Sequence, residues 1–499
     1  MGMDRLPLEI ILFIVDEIPE LEDRLHLLQI CQSWRANFLA VGFRTICIRH
    51  PQLQRLVGAG LANSYIKLSI RDVTVEERFD RDPVKPREAI QELIDLISDS
   101  PAAREKWYTD LSVPSSEAWI ALVLAVFPNL TAFSATYNPS GSWISHIVAK
   151  AAWGEPPFDG DTFSALRHLE RLDITWRDEF ITLRHDQNLP FFHLPSLRYL
   201  RVGPAQGFDT QYSVADHSAF LPAEGTSPIE TLVLDFHCNG RDGMVGYITS
   251  CARLKRFIYQ HMNEYDTFGD DSTSYFRDFR PWRFHEALVR QRDSLEVLHL
   301  NNLGEASTSH RAAYRYLEEP SDPMAHNRWF GSLAEFHKLR DLRIRLCNLL
   351  NLYPKDGHSP VSLKDVLPTS LENLHLADCA EESCDMLVSD IEDLLAQRET
   401  LVPNLRSLLI SPAPGSEMIP SFVIVEEPFR TRLLPLQEIC DRVGVEIHVG
   451  EGLKMIPLVN SWQPGRITGK RLSDESVAAP EELAFRDVQP YYIEARKSF

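Results

Sequence analysis

The chain has 499 residues, of which 44% are hydrophobic, 24% charged and 10% aromatic, and its formal net charge is −20. This is the composition of a folded protein, and its length predicts roughly two to four globular domains or one long repeat array. The acidic balance argues against nucleic acids and anionic membrane surfaces as partners.

Residues 4–48 are predicted to form three short helices. Pro7 suits the first turn of a helix, and the apolar stripe that follows it ends before Pro19. A second helix is expected to begin near Glu22–Asp23, because acids suit a helix N-terminus, and a third segment carries Ile46. The apolar content exceeds what three short helices bury, so a second surface is expected to pack on this module.

An apolar pattern of the form L-x-x-L-x-L then recurs nine times, in steps of 25 to 44 residues. In a strand, the fourth and sixth side chains of each unit point inward, and the first packs beneath the preceding turn. One unit cannot bury its own apolar face, so the units must stack. The pattern is typical of leucine-rich repeats lengthened by insertions. The units begin at Leu130, Leu169, Leu197, Ile229, Leu254, Leu295, Leu339, Leu371 and Leu405.

Helical periodicity separates several of the predicted strands. It is present at residues 86–98, 119–127 and 384–397. Strands alternating with helices give an α/β fold class, with a solenoid over residues 60–450. The solenoid is expected to be curved, because strands pack more closely together than helices do.

Three other segments depart from the repeat pattern. Insertions are predicted at 262–283, which is acidic and aromatic, and at 304–328, which is polar. Loops of this length are either functional or disordered. Residues 463–499 are expected to form a polar, loosely packed C-terminal tail.

The eight cysteines contain no C-x-x-C pair, which argues against a zinc site and a disulfide framework. Cys347 and Cys379 occupy the ninth position of their units, where a small polar group satisfies the turn after the strand. Reduced thiols favour the cytoplasm or the nucleus. A signal peptide is not expected, because the N-terminus lacks a basic region, and the longest apolar run, Trp119–Phe127, is too short to span a bilayer.

The chain contains no H-E-x-x-H, G-x-S-x-G or G-x-G-x-x-G. We therefore expect a non-catalytic protein without a cofactor or a metal.

The segment Leu6-Pro7-Leu8-Glu9-Ile10, followed by Leu25-x-x-Leu28-x-x-Cys31-x-x-Trp34-Arg35, resembles the F-box. The resemblance covers about 45 residues, and its combination with degenerate repeats is similar to fungal F-box/leucine-rich-repeat proteins. One departure is Asp23-Arg24-Leu25, where the family often has Asp-Leu. By matched position, the docking surface and its immediate support are assigned to Leu6, Pro7, Leu8, Ile10, Leu28 and Trp34.

The resemblance implies a three-helix module that binds a Skp-type adaptor, which bridges to a cullin–RING ubiquitin ligase of the SCF type. The repeat domain would then select a protein substrate. The third, fifth and seventh positions of each unit are expected to face the concave side of the solenoid and to contact that substrate. They include Arg171, Asp173, Tyr199, Arg201, Asp235, His299, Asn301, Asp341, Arg343, Arg345 and His375.

Two other interpretations of the chain are open. In the first, the chain is a repeat scaffold whose N-terminal helices serve only as a cap, without a ligase role. Alternatively it is an enzyme, although the sequence offers no clustered acids, bases or metal ligands that would support one.

Overall fold

The backbone is organised around strands that follow one another in chain order. A computed structural model describes residues 10, 13, 18, 21–27, 29, 42–76, 88–113, 116–137, 142–160, 165–175, 183–203, 205–206, 222–237, 244–261, 279–302, 329–350, 361–412, 427–449 and 470–471.

Twelve parallel strands form one sheet, in which each strand pairs with the next along the chain. They are β1 Thr45–Arg49, β2 Asp72–Glu76, β3 Ala132–Thr136, β4 Arg171–Thr175, β5 Tyr199–Gly203, β6 Thr231–His237, β7 Arg256–His261, β8 Val297–Asn302, β9 Asp341–Arg345, β10 Asn373–Cys379, β11 Ser407–Pro412 and β12 Glu446–Val449. The short strands Leu183–Arg184 and Ala205–Gln206 pair with each other, and the second also pairs with β6.

Helices fill the connections between strands and pack on one another, as α2 does on α6 and α12 does on α14. The α-helices are α1 Leu21–Leu27, α2 Leu53–Ala62, α3 Ser64–Ser69, α4 Glu88–Ile97, α5 Pro101–Leu111, α6 Glu117–Val126, α7 Trp143–Trp153, α8 Val245–Ser250, α9 Pro281–Leu288, α10 Leu346–Leu349, α11 Leu363–Val366, α12 Cys384–Ala396, α13 Arg398–Leu401 and α14 Glu427–Val443. Short 3-10 helices lie at His50–Gln52, His185–His193, Val289–Gln291 and Glu381–Ser383.

The core confirms the role predicted for the repeated apolar positions. The residue that begins each of the nine units is at most 1% exposed, and the fourth and sixth residues are buried as well. Strand register stacks equivalent positions, so that Leu172 aligns with Leu200 and Leu200 with Leu232. The apolar side chains therefore form one continuous core along the solenoid.

The three predicted helical stretches are confirmed as α4, α6 and α12. The stripe of α4 is buried through Ile90, Leu93, Ile94 and Ile97. All residues of α6 are buried, which explains why this helix is apolar all round rather than amphipathic.

The sheet begins earlier than the sequence predicted. Residues 45–48 were expected in the helical module, but Thr45–Arg49 is the first parallel strand. Its side chains alternate between exposed and buried, which is the period of a half-buried strand and not of a helix. The solenoid therefore starts at Thr45 within the described residues.

Two segment predictions also need correction where the structure describes them. Helix α9 begins at Pro281, within the predicted insertion 262–283, because proline is well suited to the first turn of a helix. Lys470 and Arg471 of the predicted tail pair antiparallel with β12. The rest of both segments, and the insertion 304–328, lie outside the described residues.

Gly203 permits a close approach between β5 and β6. A Cβ atom at this position would lie 2.4 Å from the carbonyl oxygen of Asp235. We expect Gly203→Ala to lower the free energy of unfolding by about 1–3 kcal/mol, because the backbone of β6 must move. Thermal unfolding checks this against Gly58→Ala, whose new methyl group meets nothing within 4 Å. This control lies inside α2, so it should stabilise by about 0.5–1 kcal/mol. Equal midpoints would contradict the prediction.

Candidate functional site

The fifth positions of the repeats form a single row across all twelve strands. Strand register aligns each member with the next, so the row brings together residues that are hundreds of positions apart in sequence. Its members are Cys47, Thr74, Ser134, Asp173, Arg201, Val233, Ile258, His299, Arg343, His375, Leu409 and His448. We call this set the central row.

Five of the residues predicted to bind a partner lie in the central row, namely Asp173, Arg201, His299, Arg343 and His375. The third positions form a parallel row two residues earlier on each strand. That neighbouring row holds the predicted residues Arg171, Tyr199 and Asp341.

In the N-terminal half of the central row, an arginine lies between two carboxylates. Arg201 donates from Nε to Oδ2 of Asp235 at 2.6 Å, and its Nη1 lies 3.6 Å from Oδ2 of Asp173. Arg201 is 5% exposed and Asp235 is 2% exposed. Burial raises the pKa of Asp235, and Arg201 opposes that rise by favouring the charged carboxylate. This network is internal, so the charge of Arg201 is balanced by carboxylates of the chain itself.

Asp235 lies beside a bulge in β6. The pairing of β6 with β7 shifts register between Leu234 and His237, so one extra residue is inserted. A β-bulge changes the direction in which a side chain points. Gly203 of β5 provides the room, since its missing Cβ lies where the Asp235 backbone approaches.

A second bulge presents another acid to an arginine. The pairing of β10 with β11 shifts register between Leu376 and Cys379. Asp378 lies in that bulge with a φ of 52°, a left-handed conformation that aspartate tolerates. Its Oδ2 lies 2.5 Å from Nε of Arg345. Arg345, predicted as a concave-face contact, is thus buried in an ion pair with Asp378.

Two histidines flank Arg343 in the central row. Nε2 of His299 lies 3.0 Å from Oδ1 of Asp341, and Nε2 of His375 lies 2.8 Å from Oγ of Ser411. His299 is 2% exposed. Burial lowers the pKa of both imidazoles, and the Arg343 charge lowers the pKa of each further. Both rings are therefore neutral near pH 7.

The neutral histidines predict a loss of stability in mild acid. Because the folded-state pKa of His375 lies well below its ordinary value of about 6.5, the unfolded chain binds more protons below that pH. The stability that neutral His375 contributes is present above pH 6.5 and falls by up to about 1.4 kcal/mol per pH unit below it. Urea midpoints at pH 7.5 and 5.5 should therefore diverge less for His375→Asn than for the native chain. The same divergence in both proteins would refute this.

Three other residues predicted to contact a partner, Arg171, Tyr199 and Asn301, belong to none of these ion pairs or histidine contacts. The guanidinium carbon of Arg171 lies 4.5 Å from the ring centroid of Tyr199, a cation–π arrangement. Arg171 is exposed, so this pair lies at the accessible surface of the neighbouring row. Asn301 lies on β8 opposite Gln260 of β7. The orientation of the Asn301 side chain lies outside what the structure describes.

The N-terminal module contacts the first strand. Arg24 of α1 is 2% exposed, and its Nη2 donates to the carbonyl oxygen of Thr45 at 2.5 Å. Ile10 and Phe13 are helical and 47% and 64% exposed, respectively. Residues three apart share a helix face, so these two apolar side chains form one exposed patch. The other predicted adaptor contacts, Leu6, Pro7, Leu8, Leu28 and Trp34, lie outside the described residues.

Sequence reasoning missed Phe13 and Asp378. Phe13 follows the matched F-box positions and was not assigned, although its spacing from Ile10 was a usable signal. Asp378 was missed because a bulge removes it from the regular alternation on which the assignment of facing positions depends.

The cysteines at the ninth repeat positions, Cys347 and Cys379, are both buried thiols. Cys379 is 1% exposed, and its thiol donates weakly to the carbonyl oxygen of Leu376 at 3.6 Å. Burial raises the pKa of Cys379 well above its ordinary value. Asn138, at the same position of an earlier unit, lies outside the described residues.

No cluster of three or more His, Cys, Asp or Glu side chains in the described part of the chain is arranged to hold a metal ion. No helix in those ranges combines the length and apolarity needed to cross a bilayer.

Comparison with known proteins supports the repeat assignment. No curated protein matches the chain by sequence. A family model described as a leucine-rich repeat domain matches residues 81–413. That span contains strands β3 to β11, which are the nine units recognised in the sequence. The chain belongs to the leucine-rich repeat domain family.

Proposed function

We propose that the chain is the substrate-recognition subunit of an SCF-type cullin–RING ubiquitin ligase. In this proposal the F-box-like segment within residues 4–48 binds a Skp-type adaptor. The concave face of the solenoid binds the target protein, and the chain itself performs no catalysis. Leucine-rich repeats supply the extended concave surface that suits such an interaction scaffold.

The observation that carries the adaptor half of the proposal is the exposed patch of Ile10 and Phe13. When a partner covers large apolar side chains on one helix face, it removes them from water, and this favours binding. Ile10 also matches the last position of the F-box pattern L-P-x-E-[IL]. An adaptor bound to this module would cover Ile10 and Phe13, which are exposed in the free chain.

A second function is favoured by a different contact. The hydrogen bond from Arg24 to Thr45 joins α1 to the edge of the sheet. Edge strands need protection from pairing with other chains, and a helix over the edge provides it. By itself this contact supports a scaffold with a helical cap. A module that packs on β1 with one face and binds an adaptor with another face satisfies both observations.

The experiment is a calorimetric titration of the full chain with a purified Skp-type adaptor. We expect a one-to-one complex that persists through size-exclusion chromatography. An absence of heat and of co-elution at micromolar concentrations would leave the capped scaffold as the function.

A further inference from the structure

Arg24 is a buried arginine at the junction between the N-terminal module and the sheet. It is 2% exposed, and its Nη2 donates to the carbonyl oxygen of Thr45. An arginine is almost never buried to this degree unless polar contacts hold its charged group. Asp23 and His26 of the same helix are exposed, and their side chains approach each other to 4.0 Å. Helix α1 therefore turns Arg24 toward β1 and these two residues toward solvent.

The carbonyl group that Arg24 contacts lies on the outer edge of the sheet. Strand β1 begins the strand order, with β2 as its neighbour. On the side of β2, the carbonyl oxygen of Arg44 accepts from the backbone N–H groups of Arg71 and Asp72. Successive carbonyl groups of a strand point to opposite sides, so the carbonyl group of Thr45 points away from β2. Arg24 therefore satisfies an acceptor that the parallel ladder leaves open.

Arg24 is also the residue at which the chain departs from the F-box pattern. The family often has Asp-Leu where this sequence has Asp23-Arg24-Leu25, so Arg24 stands between the two matched positions. Each residue of an α-helix is rotated by about 100° from the one before it, so an inserted side chain points to a different face from its neighbours. The insertion therefore gives α1 a side chain directed at the sheet, in addition to the positions that resemble the F-box.

We propose that Arg24 is a positioning residue that fixes the N-terminal module to β1, so that the adaptor-binding patch and the concave face keep one relative orientation. Burial of the whole side chain adds the packing of its methylene groups to the hydrogen bond. A target protein on the concave face is then presented to the ligase at a constant position. This consequence rests on the proposed function, whereas the contact between α1 and β1 does not depend on it.

Hydrogen–deuterium exchange of the full chain measures whether Arg24 holds α1 on the sheet. We expect Arg24→Ala to speed the exchange of the Leu21–Leu27 amides by about ten- to a hundred-fold, because a hydrogen bond from a charged donor opposes local opening by about that factor. Strands β3 to β11 should exchange as they do in the native chain. Arg24→Lys keeps the charge and a donor, so it should recover most of the lost protection.

His26→Ala is the matched control for this measurement. His26 lies on the same helix, but its side chain is 64% exposed. Its replacement should change the exchange of α1 by less than about two-fold, as surface substitutions do. If His26→Ala speeds exchange as much as Arg24→Ala does, or if Arg24→Ala leaves exchange unchanged, then the buried guanidinium group does not hold the module and the proposal is wrong.

Time-resolved fluorescence anisotropy of a labelled Skp-type adaptor, saturated with the full chain, measures the relative orientation. On the native chain the adaptor should rotate with the correlation time of the whole complex. On Arg24→Ala a second, shorter correlation time should appear at unchanged affinity, because Ile10 and Phe13 are intact, and Arg24→Lys should suppress it. Identical rotation on the native chain and Arg24→Ala would overturn the proposal. An adaptor that does not bind the native chain refutes the ligase role instead, and the exchange measurement then decides the role of Arg24.

Discussion

Arg201→Met should lower the free energy of unfolding by about 3–5 kcal/mol at pH 7.5, which is the cost of breaking a buried ion pair by removing one partner. The methionine fills much of the arginine volume, but Asp235 would remain 2% exposed without its counter-ion. The carboxyl group would then take up a proton. For a group of unperturbed pKa near 3.9, protonation at pH 7.5 costs about 5 kcal/mol, which sets the upper limit for that group.

The same reasoning predicts a pH dependence for the variant. Protonating Asp235 costs about 1.5 kcal/mol at pH 5.0, so the deficit of Arg201→Met relative to the native chain should shrink as pH falls. Urea unfolding at both pH values measures this. Arg198→Met is the matched control, because Arg198 is exposed and its side chain donates to the carbonyl oxygen of Pro228, with no ion pair among the described residues. If Arg198→Met lowers the free energy of unfolding as much as Arg201→Met does, then the loss of a positive charge, and not the loss of the buried ion pair, causes the destabilisation.

Replacing both Ile10 and Phe13 by aspartate should weaken adaptor binding at least a hundred-fold. Burying one such side chain contributes about 1.5–3 kcal/mol, so the pair contributes enough for that factor before any penalty for the new charges. Because both side chains are exposed in the free chain, the thermal midpoint should change little.

Leu96→Asp provides the control for this pair. Leu96 is 49% exposed on α4 of the solenoid and lies outside the F-box-like segment in sequence. It should leave the titration with the adaptor unchanged. If it weakens binding as much as the double variant does, the interaction is a general response to exposed apolar surface.

The repeated apolar pattern predicted the nine central strands, because burial of their first, fourth and sixth residues depends on local spacing alone. Strands β1 and β2 have the same spacing, with Phe43, Ile46 and Ile48 in one and Ile70, Val73 and Val75 in the other. They were not recognised, although Ile70 stands first in its unit just as Ile229 does in a recognised one. In addition, residues 43–48 had been assigned to the helical module that resembles the F-box. Strand β12 has glycine at its first position, so the pattern does not find it.

The chemistry of the concave face was only partly predictable. Repeat register places Asp173 beside Arg201, and His299, Arg343 and His375 in succession, so their proximity follows from the sequence. The bulges do not, because a one-residue insertion in a strand leaves no clear compositional signal. The bulge in β10 places Asp378 beside Arg345, a pairing that regular strand alternation does not predict.

The central claim is that the N-terminal module has a surface reserved for another protein. Hydrogen–deuterium exchange of the full chain, with and without saturating Skp-type adaptor, tests it residue by residue. We predict slower exchange in residues 4–42 upon adaptor binding, with strands β3 to β11 unchanged. Exchange in residues 4–42 that is identical with and without the adaptor would contradict the account and leave a capped leucine-rich-repeat scaffold.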